Sequence, residues 1–221
     1  MKYYKLLDKL NRNEVVKSES KREYGYFFGE ECWKPTTIMA EYHWGDNDVY
    51  GEYVEITEAE ALDLIDEQRE KYNNLLKMAI SMAEDIYKEK TDKYGKLKLE
   101  NLKTIAETLP HTEYKIVTFL YNICEDKSVT LEELENMGFT YRIVNSIRLL
   151  VQRDKLTYEQ YLNRLRLDYA GRAVKIAELK HSIEYMESNE MTDEDRVKTE
   201  KYKKSVAFLE SSKIMEPDFK I

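Results

Sequence analysis

The side chains able to do chemistry in this chain are few and widely spaced. Only three His are present, so a histidine-built metal site would need nearly all of them. Cys32 and Cys124 stand far apart and without a zinc-ligand spacing, which argues against a disulfide framework or a zinc knuckle. The carboxylates offer more. Glu125 and Asp126 are adjacent, and Glu178 lies three residues before His181. On a helix that spacing puts both on one face, where they could address a pocket together; a lone His there is as readily an ordinary structural residue. Glu125, Asp126 and Glu178 together have the composition of an oxygen-only Mg²⁺ site. The plainer reading of Glu125-Asp126 is a helix-end pair facing solvent and pairing with Lys127 or a nearby Arg. Lys88, Lys90, Lys93, Lys96 and Lys98 form a basic stretch. Lysines in such a run can hold phosphates as point charges without a metal, or form a solvated loop.

These residues sit in a chain of 221 residues with 35 Lys+Arg against 43 Asp+Glu, a net charge of −8. That length suits one large domain or two small ones. A hydrophobic fraction of 42% and 18 Tyr exclude a disordered chain. Mean hydropathy is −0.70, and no apolar run approaches the roughly 20 residues needed to cross a bilayer. The start, Met1-Lys2-Tyr3-Tyr4-Lys5, lacks the apolar stretch of a signal peptide. The expectation is a cytoplasmic protein with no membrane partner. Seven Gly and three Pro point to long regular elements with few tight turns.

Charge and composition change together near residue 66. Residues 1–66 carry 8 basic and 15 acidic side chains, net −7; residues 67–221 carry 27 and 28, net −1. The first part is rich in Tyr, Trp and Phe, the second in Leu, Ile, Met, Lys and Glu. The expected fold is α+β overall: a small α+β module over 1–66, followed by an all-helical domain over 67–221. In the module, Tyr24–Phe28, Thr36–Tyr42 and Val49–Ile56 read as strands. Gly45-Asp46-Asn47-Asp48 reads as the turn of a hairpin joining the last two. Thr57-Glu58-Ala59-Glu60 is a capping box that opens a helix.

Beyond it, Leu75, Leu76, Ala79, Met82, Ala83 and Ile86 form an amphipathic stripe. A break is expected near Asp92–Gly95. Further helices are predicted over Leu97–Leu109, Tyr114–Cys124, the short stretch opened by Thr130-Leu131-Glu132-Glu133 and ended by Gly138, and Tyr141–Val151. The last three are a helix capped by Thr157 and Gln160, then Ala170–Met186 and Thr192–Ser211.

Three of these segments, in order, resemble the RelA/SpoT-type HD hydrolases. The run from Phe119 to Leu134, with Tyr121-Asn122, Glu125-Asp126 and Thr130-Leu131-Glu132-Glu133-Leu134, looks like the family's leucine-leucine-His-Asp, Glu-Asp-Thr, Thr-Leu-Glu-Glu-Leu motif. Val174-Lys175-Ile176-Ala177-Glu178-Leu179-Lys180-His181-Ser182 looks like its later Val-Lys-Leu-Ala-Asp-Leu-x-His-Asn. Ala83–Asn101, with Asp92-Lys93-Tyr94-Gly95, looks like its first segment, and Lys201–Leu209 is similar to its closing helix. The resemblance covers roughly residues 75–211 and none of 1–66. It implies an HD-type helical domain and an ancestral activity, the hydrolysis of guanosine tetraphosphate alarmones at a manganese ion. Such a site must hold a divalent ion with imidazoles and carboxylates so that bound water ionises.

At the family's ligand positions this chain has Tyr87, Tyr121, Asn122 and Glu178. A phenol stays protonated at neutral pH and is no substitute for imidazole, and Asn lacks the charge. The expectation is a non-catalytic relative with no metal and no cofactor, in which Glu125 and Asp126 are remnants of a catalytic pair. Tyr87 and Tyr121 then plug the vacated cavity, because an aromatic fills volume that unpaired polar groups would fill at a cost. The resemblance also places the basic stretch beside a nucleotide. Lys88, Lys93, Lys96 and His181 are therefore candidates for holding a guanine nucleotide.

In the first module, Trp33, Tyr42, Trp44, Tyr50 and Glu52 are candidate contacts to a basic protein partner, aromatic anchors with an acidic rim being the usual make-up of such a face. The plainer alternative is a hydrophobic sheet face with an acidic exterior. Direct nucleic-acid binding is disfavoured, because that needs a basic footprint. Three functions stay open: a regulatory binding protein that senses a nucleotide or captures a protein; a small acidic inhibitor of a nucleic-acid-binding enzyme, of the anti-defence (anti-CRISPR-like) kind carried by phages or mobile elements; and a divalent-metal nucleotide pyrophosphohydrolase with a rearranged carboxylate site.

Overall fold

The computed structural model describes residues 1–8, 11–27, 32–36, 38–39, 42, 52–91, 95–151 and 156–211. Its fold is α+β. Five strands come first: β1 (Lys2–Leu6), β2 (Val15–Glu19), β3 (Arg22–Phe27), β4 (Cys32–Pro35) and β5 (Tyr53–Ile56). Eight helices follow among the described residues: α1 (Glu58–Tyr87), α2 (Lys98–Glu107), α3 (Thr112–Glu125), α4 (Leu131–Asn136), α5 (Tyr141–Val151), α6 (Tyr158–Leu165), α7 (Tyr169–Glu187) and α8 (Asp193–Glu210). The chain divides into two compact units, the first Met1–Leu75 and the second beginning at Leu76.

In the first unit the strands form one antiparallel sheet in the order β4-β3-β2-β1-β5. β1 lies between β2 and β5, with Tyr4 opposite Val16 on one side and Glu55 on the other. Alternation sends Tyr3 and Leu6 to opposite faces. Tyr3, Val15 and the half-buried Tyr26, Trp33 and Ile56 pack against Ala61, Leu64 and Ile65 of α1. Leu6, Val16, Tyr4 and Tyr53 pack against Ile38, Met39 and Tyr42. Both faces of the sheet are thus covered. The entry into α1 is the capping box read from the sequence: Thr57 Oγ1 accepts from the Glu60 amide at 3.2 Å, and Glu60 Oε2 accepts from the Thr57 amide at 2.7 Å.

Two expectations need correction here. The strand expected over Thr36–Tyr42 is not seen among its described residues: Ile38 and Met39 lie in a turn, and the Tyr42 amide donates to the Met39 carbonyl at 3.1 Å. Its apolar side chains are spaced one and three apart, which suits lying on a sheet rather than extending one. Among the described residues β5 pairs with β1; the turn proposed at residues 45–48 lies outside the described residues.

The second unit is helical, as its periodicity predicts. α3 is the central element, with Ile116, Val117, Phe119, Leu120 and Ile123 all buried, and it packs on α2, α5 and α7. α7 packs in turn on α8. Capping boxes at Thr130, Thr157 and Thr192 set three helix starts. Asp168 starts α7 by accepting from the Gly171 amide at 2.6 Å. Gly138 follows α4 with φ at +90°, a conformation that favours glycine. No described helix is long and apolar enough to cross a membrane.

Candidate functional site

Folding brings the separated positions Tyr87, Tyr121, Asn122, Glu125, Asp126 and Glu178 into one neighbourhood of the helical unit. Tyr87 ends α1. Tyr121 and Asn122 lie in the last turns of α3, Glu125 closes that helix, and Asp126 is its C-cap residue. Glu178 projects from the middle of α7, which packs on α3.

The Tyr87 side chain has no exposed surface. Its hydroxyl donates to Asp126 Oδ2 at 2.9 Å. Burial, then the hydrogen bond and charge of Asp126, push the phenol far above its usual value of 10, so it stays a donor. The same carboxylate oxygen accepts from Lys98 Nζ at 3.0 Å. Burial alone would raise the Asp126 carboxyl, but the bonds from Lys98 and Tyr87 outweigh it and the net shift is downward. Lys98 and Lys90 also sit over the Tyr87 ring, at 5.0 and 5.3 Å from its centroid, a cation–π arrangement.

Tyr121 is 2% exposed. Burial raises its phenol well above 10, helped by the charges of Glu178 and Glu125 and by a hydrogen bond with Glu178. Glu178 in turn accepts from Lys175 Nζ at 2.8 Å, and that lysine is itself almost wholly buried. Asn122 donates to the Thr118 carbonyl one turn back on its own helix, at 3.3 Å, so its amide is turned toward its own backbone. Cys124, half-buried beside this cluster, has its thiol pushed up to about 11 by burial and then by the charge of Glu133, which leaves it a poor nucleophile.

Two of the three carboxylates of the conceivable Mg²⁺ site are engaged separately. Asp126 faces Tyr87 and Lys98, and Glu178 faces Lys175 and Tyr121. Among the described residues no group of three or more His, Cys, Asp or Glu is arranged to hold a metal ion. Asp126 and Glu178 each have a lysine ammonium as a bonded partner.

The candidate nucleotide residues are placed as follows. His181 Nε2 lies 3.4 Å from Asn101 Oδ1, joining α7 to α2. Burial, then the charge of Lys96, lowers its imidazole below 6.5, while Glu184 acts in the opposite sense. Lys96 stacks over Tyr185, 5.5 Å from the ring centroid. Lys88 is exposed just after α1, and Lys93 lies outside the described residues. At the ends of the basic stretch, Thr91 bridges Leu97 and the Lys98 amide donates to the Lys90 carbonyl at 2.9 Å.

In the first unit, Trp33 packs edge-on against Tyr26 at 5.3 Å and tilted against Tyr3 at 6.1 Å, with Lys17 over its ring at 4.9 Å. Tyr42 is 3% exposed, and its hydroxyl donates to the buried Asp8 carboxylate and accepts from Asn11 Nδ2. Tyr42 is thus part of the core, and Trp33 is half-buried against it. Glu52 is half-buried, and its carbonyl accepts from the Leu7 amide at 2.7 Å. Trp44 and Tyr50 lie outside the described residues.

The pairing of Lys98 with Asp126 and of Lys175 with Glu178 is not among the roles read from the sequence. A faint signal for the second exists: Lys175 precedes Glu178 by three, a helix-face pair. Compared with known proteins, the chain matches no family model and no curated sequence.

Proposed function

We propose that the second unit is a non-catalytic relative of the RelA/SpoT-type HD hydrolases and that the protein works by binding a protein partner rather than by turning over a nucleotide. The observation that carries this reading is the fully buried Tyr87, bonded to Asp126 where the resemblance puts a metal-ligating imidazole. Its ring fills the volume, its phenol stays protonated, and Lys98 compensates the adjacent carboxylate. A guanine nucleotide would have to displace these contacts to use the same space, which favours protein capture over nucleotide sensing.

The partner is expected to be basic. The first half of α1 exposes Glu58, Glu60, Asp63, Asp66, Glu67 and Glu70, and residues 1–66 as a whole carry net −7. A surface of that sign speeds encounter with a positive face and repels nucleic acid. It is also the kind of surface with which an inhibitor competes for a basic, nucleic-acid-binding enzyme, the anti-defence role. Thermal-shift titration separates the two binding modes, because a ligand of the native state must raise its melting temperature. Guanosine tetraphosphate, GTP and GDP at millimolar concentration are expected to leave the melting temperature unchanged. Cross-linking of the full chain should capture a basic protein, and the capture should weaken in 0.5 M salt. A nucleotide-induced shift of several degrees would overturn protein capture in favour of sensing.

A further inference from the structure

Two chains of contacts in the helical unit share one pattern. Tyr87, Asp126 and Lys98 form the first, joining the end of α1, the C-cap of α3 and the first residue of α2. Tyr121, Glu178 and Lys175 form the second, joining α3 to α7. In each, a buried phenol meets a carboxylate, exposed in Asp126 and half-buried in Glu178, whose other partner is a lysine ammonium. Asp126 is badly placed on its own. It sits at the C-terminal end of a 14-residue helix, where the backbone dipole disfavours an anion. Lys175 is badly placed too, because a buried ammonium without an anion is expensive.

We infer that Lys98 and Lys175 are built-in counter-ions which, with the two phenols, lock α1, α2, α3 and α7 together without any bound ion. The inference rests on the same cluster as the functional reading, but its test reads stability and not turnover or ligand binding, so the two can fail separately. Each lysine supplies one positive charge to one carboxylate, and each phenol supplies the second hydrogen bond that the carboxylate needs. The lock holds the helical unit in one arrangement before any partner arrives, which lowers the ordering cost of binding.

The test is a thermal-melting series on the full chain at pH 7. Lys175→Met is expected to lower the melting temperature by about 5–10 °C, since breaking a buried pair strands its partner. Lys175→Arg should avoid most of that loss, because it keeps the charge. The double variant Lys175→Met with Glu178→Gln should recover at least half of the loss, because a neutral amide needs no counter-ion. Should Lys175→Met fail to fold, Lys98→Met gives the same reading at a more exposed position, with a smaller expected loss of about 1–3 °C. Manganese chloride and EDTA should each leave the wild-type melting temperature unchanged. Lysine variants that melt within 1 °C of wild type, a double variant as damaged as the two single losses added together, or a wild-type melting temperature that follows manganese or EDTA would each overturn the lock.

Discussion

The Tyr87 hydroxyl donates to Asp126 Oδ2 at 2.9 Å, tying the last residue of a 30-residue helix to the C-cap of another helix 39 positions along the chain. One contact fills a cavity, satisfies a carboxylate and closes a helix end. Tyr87→Phe keeps the ring and loses only the hydrogen bond, so a loss of about 1–2 kcal/mol is expected. Tyr87→Ala empties the fully buried site and is expected to lose about 3–5 kcal/mol. Urea denaturation of the two variants checks the ordering; equal losses would mean that the ring contributes nothing by its volume.

How far this relationship was legible beforehand depends on the residue. The burial of the Tyr87 ring is expected from the resemblance and from volume. That Asp126 would be its partner does not, because nothing local relates positions 87 and 126. Helix starts were legible wherever capping is a four-residue affair, as at Thr57, Thr130 and Thr157. β1 and β2 escaped notice for a physical reason. Both faces of the sheet are covered, so Tyr3, Tyr4 and Leu6 show no clean alternation of apolar and polar residues. Thr36–Tyr42 misled in the opposite way, its β-branched and aromatic content serving sheet packing rather than strand pairing.

Acid sensitivity follows from Asp126. Its carboxyl is held below the usual 3.8 in the folded chain, burial being outweighed by Lys98 and Tyr87. As the pH falls, the unfolded chain takes up this proton first. The stabilisation is therefore complete above about pH 4–5 and disappears as the pH drops through the lower, folded value. Asp126→Asn should melt lower than wild type at pH 7, and that gap should narrow as the pH falls below about 4. A gap that stays constant as the pH is lowered until the wild type unfolds would show that the carboxylate charge plays no part.

A second pH dependence lies nearer neutrality. His181 on α7 faces Asn101 of α2, the Lys96 ammonium and Glu184 of its own helix. Burial and Lys96 hold its imidazole below 6.5, so the unfolded chain protonates first on acidification. The contribution is whole above about pH 6.5 and declines as the pH falls toward the folded value. Chemical denaturation at pH 7.5, 6.5 and 5.5 should show stability declining for wild type, with a shallower decline for His181→Gln. Identical slopes would contradict the burial of a neutral imidazole at this position.

Gly171 supplies a test of packing where α7 begins. A Cβ there would come within 2.9 Å of both Leu165 Cδ1 and Asp168 Oδ1, the atom that caps the helix. In an ordinary helix interior, replacing Gly by Ala is favourable by about 1 kcal/mol. Here the contact with the cap should reverse the sign, and Gly171→Ala is expected to lose about 1–3 kcal/mol. Calorimetry decides it, and a stabilised variant would show that the cap relaxes freely.

The most direct measurement is pyrophosphate release from guanosine tetraphosphate by the purified full chain in manganese buffer. With phenols at positions 87 and 121 and an amide at 122, no release above the buffer blank is expected. Release that scales with protein concentration and vanishes in Glu178→Ala would contradict the assignment of this site as non-catalytic.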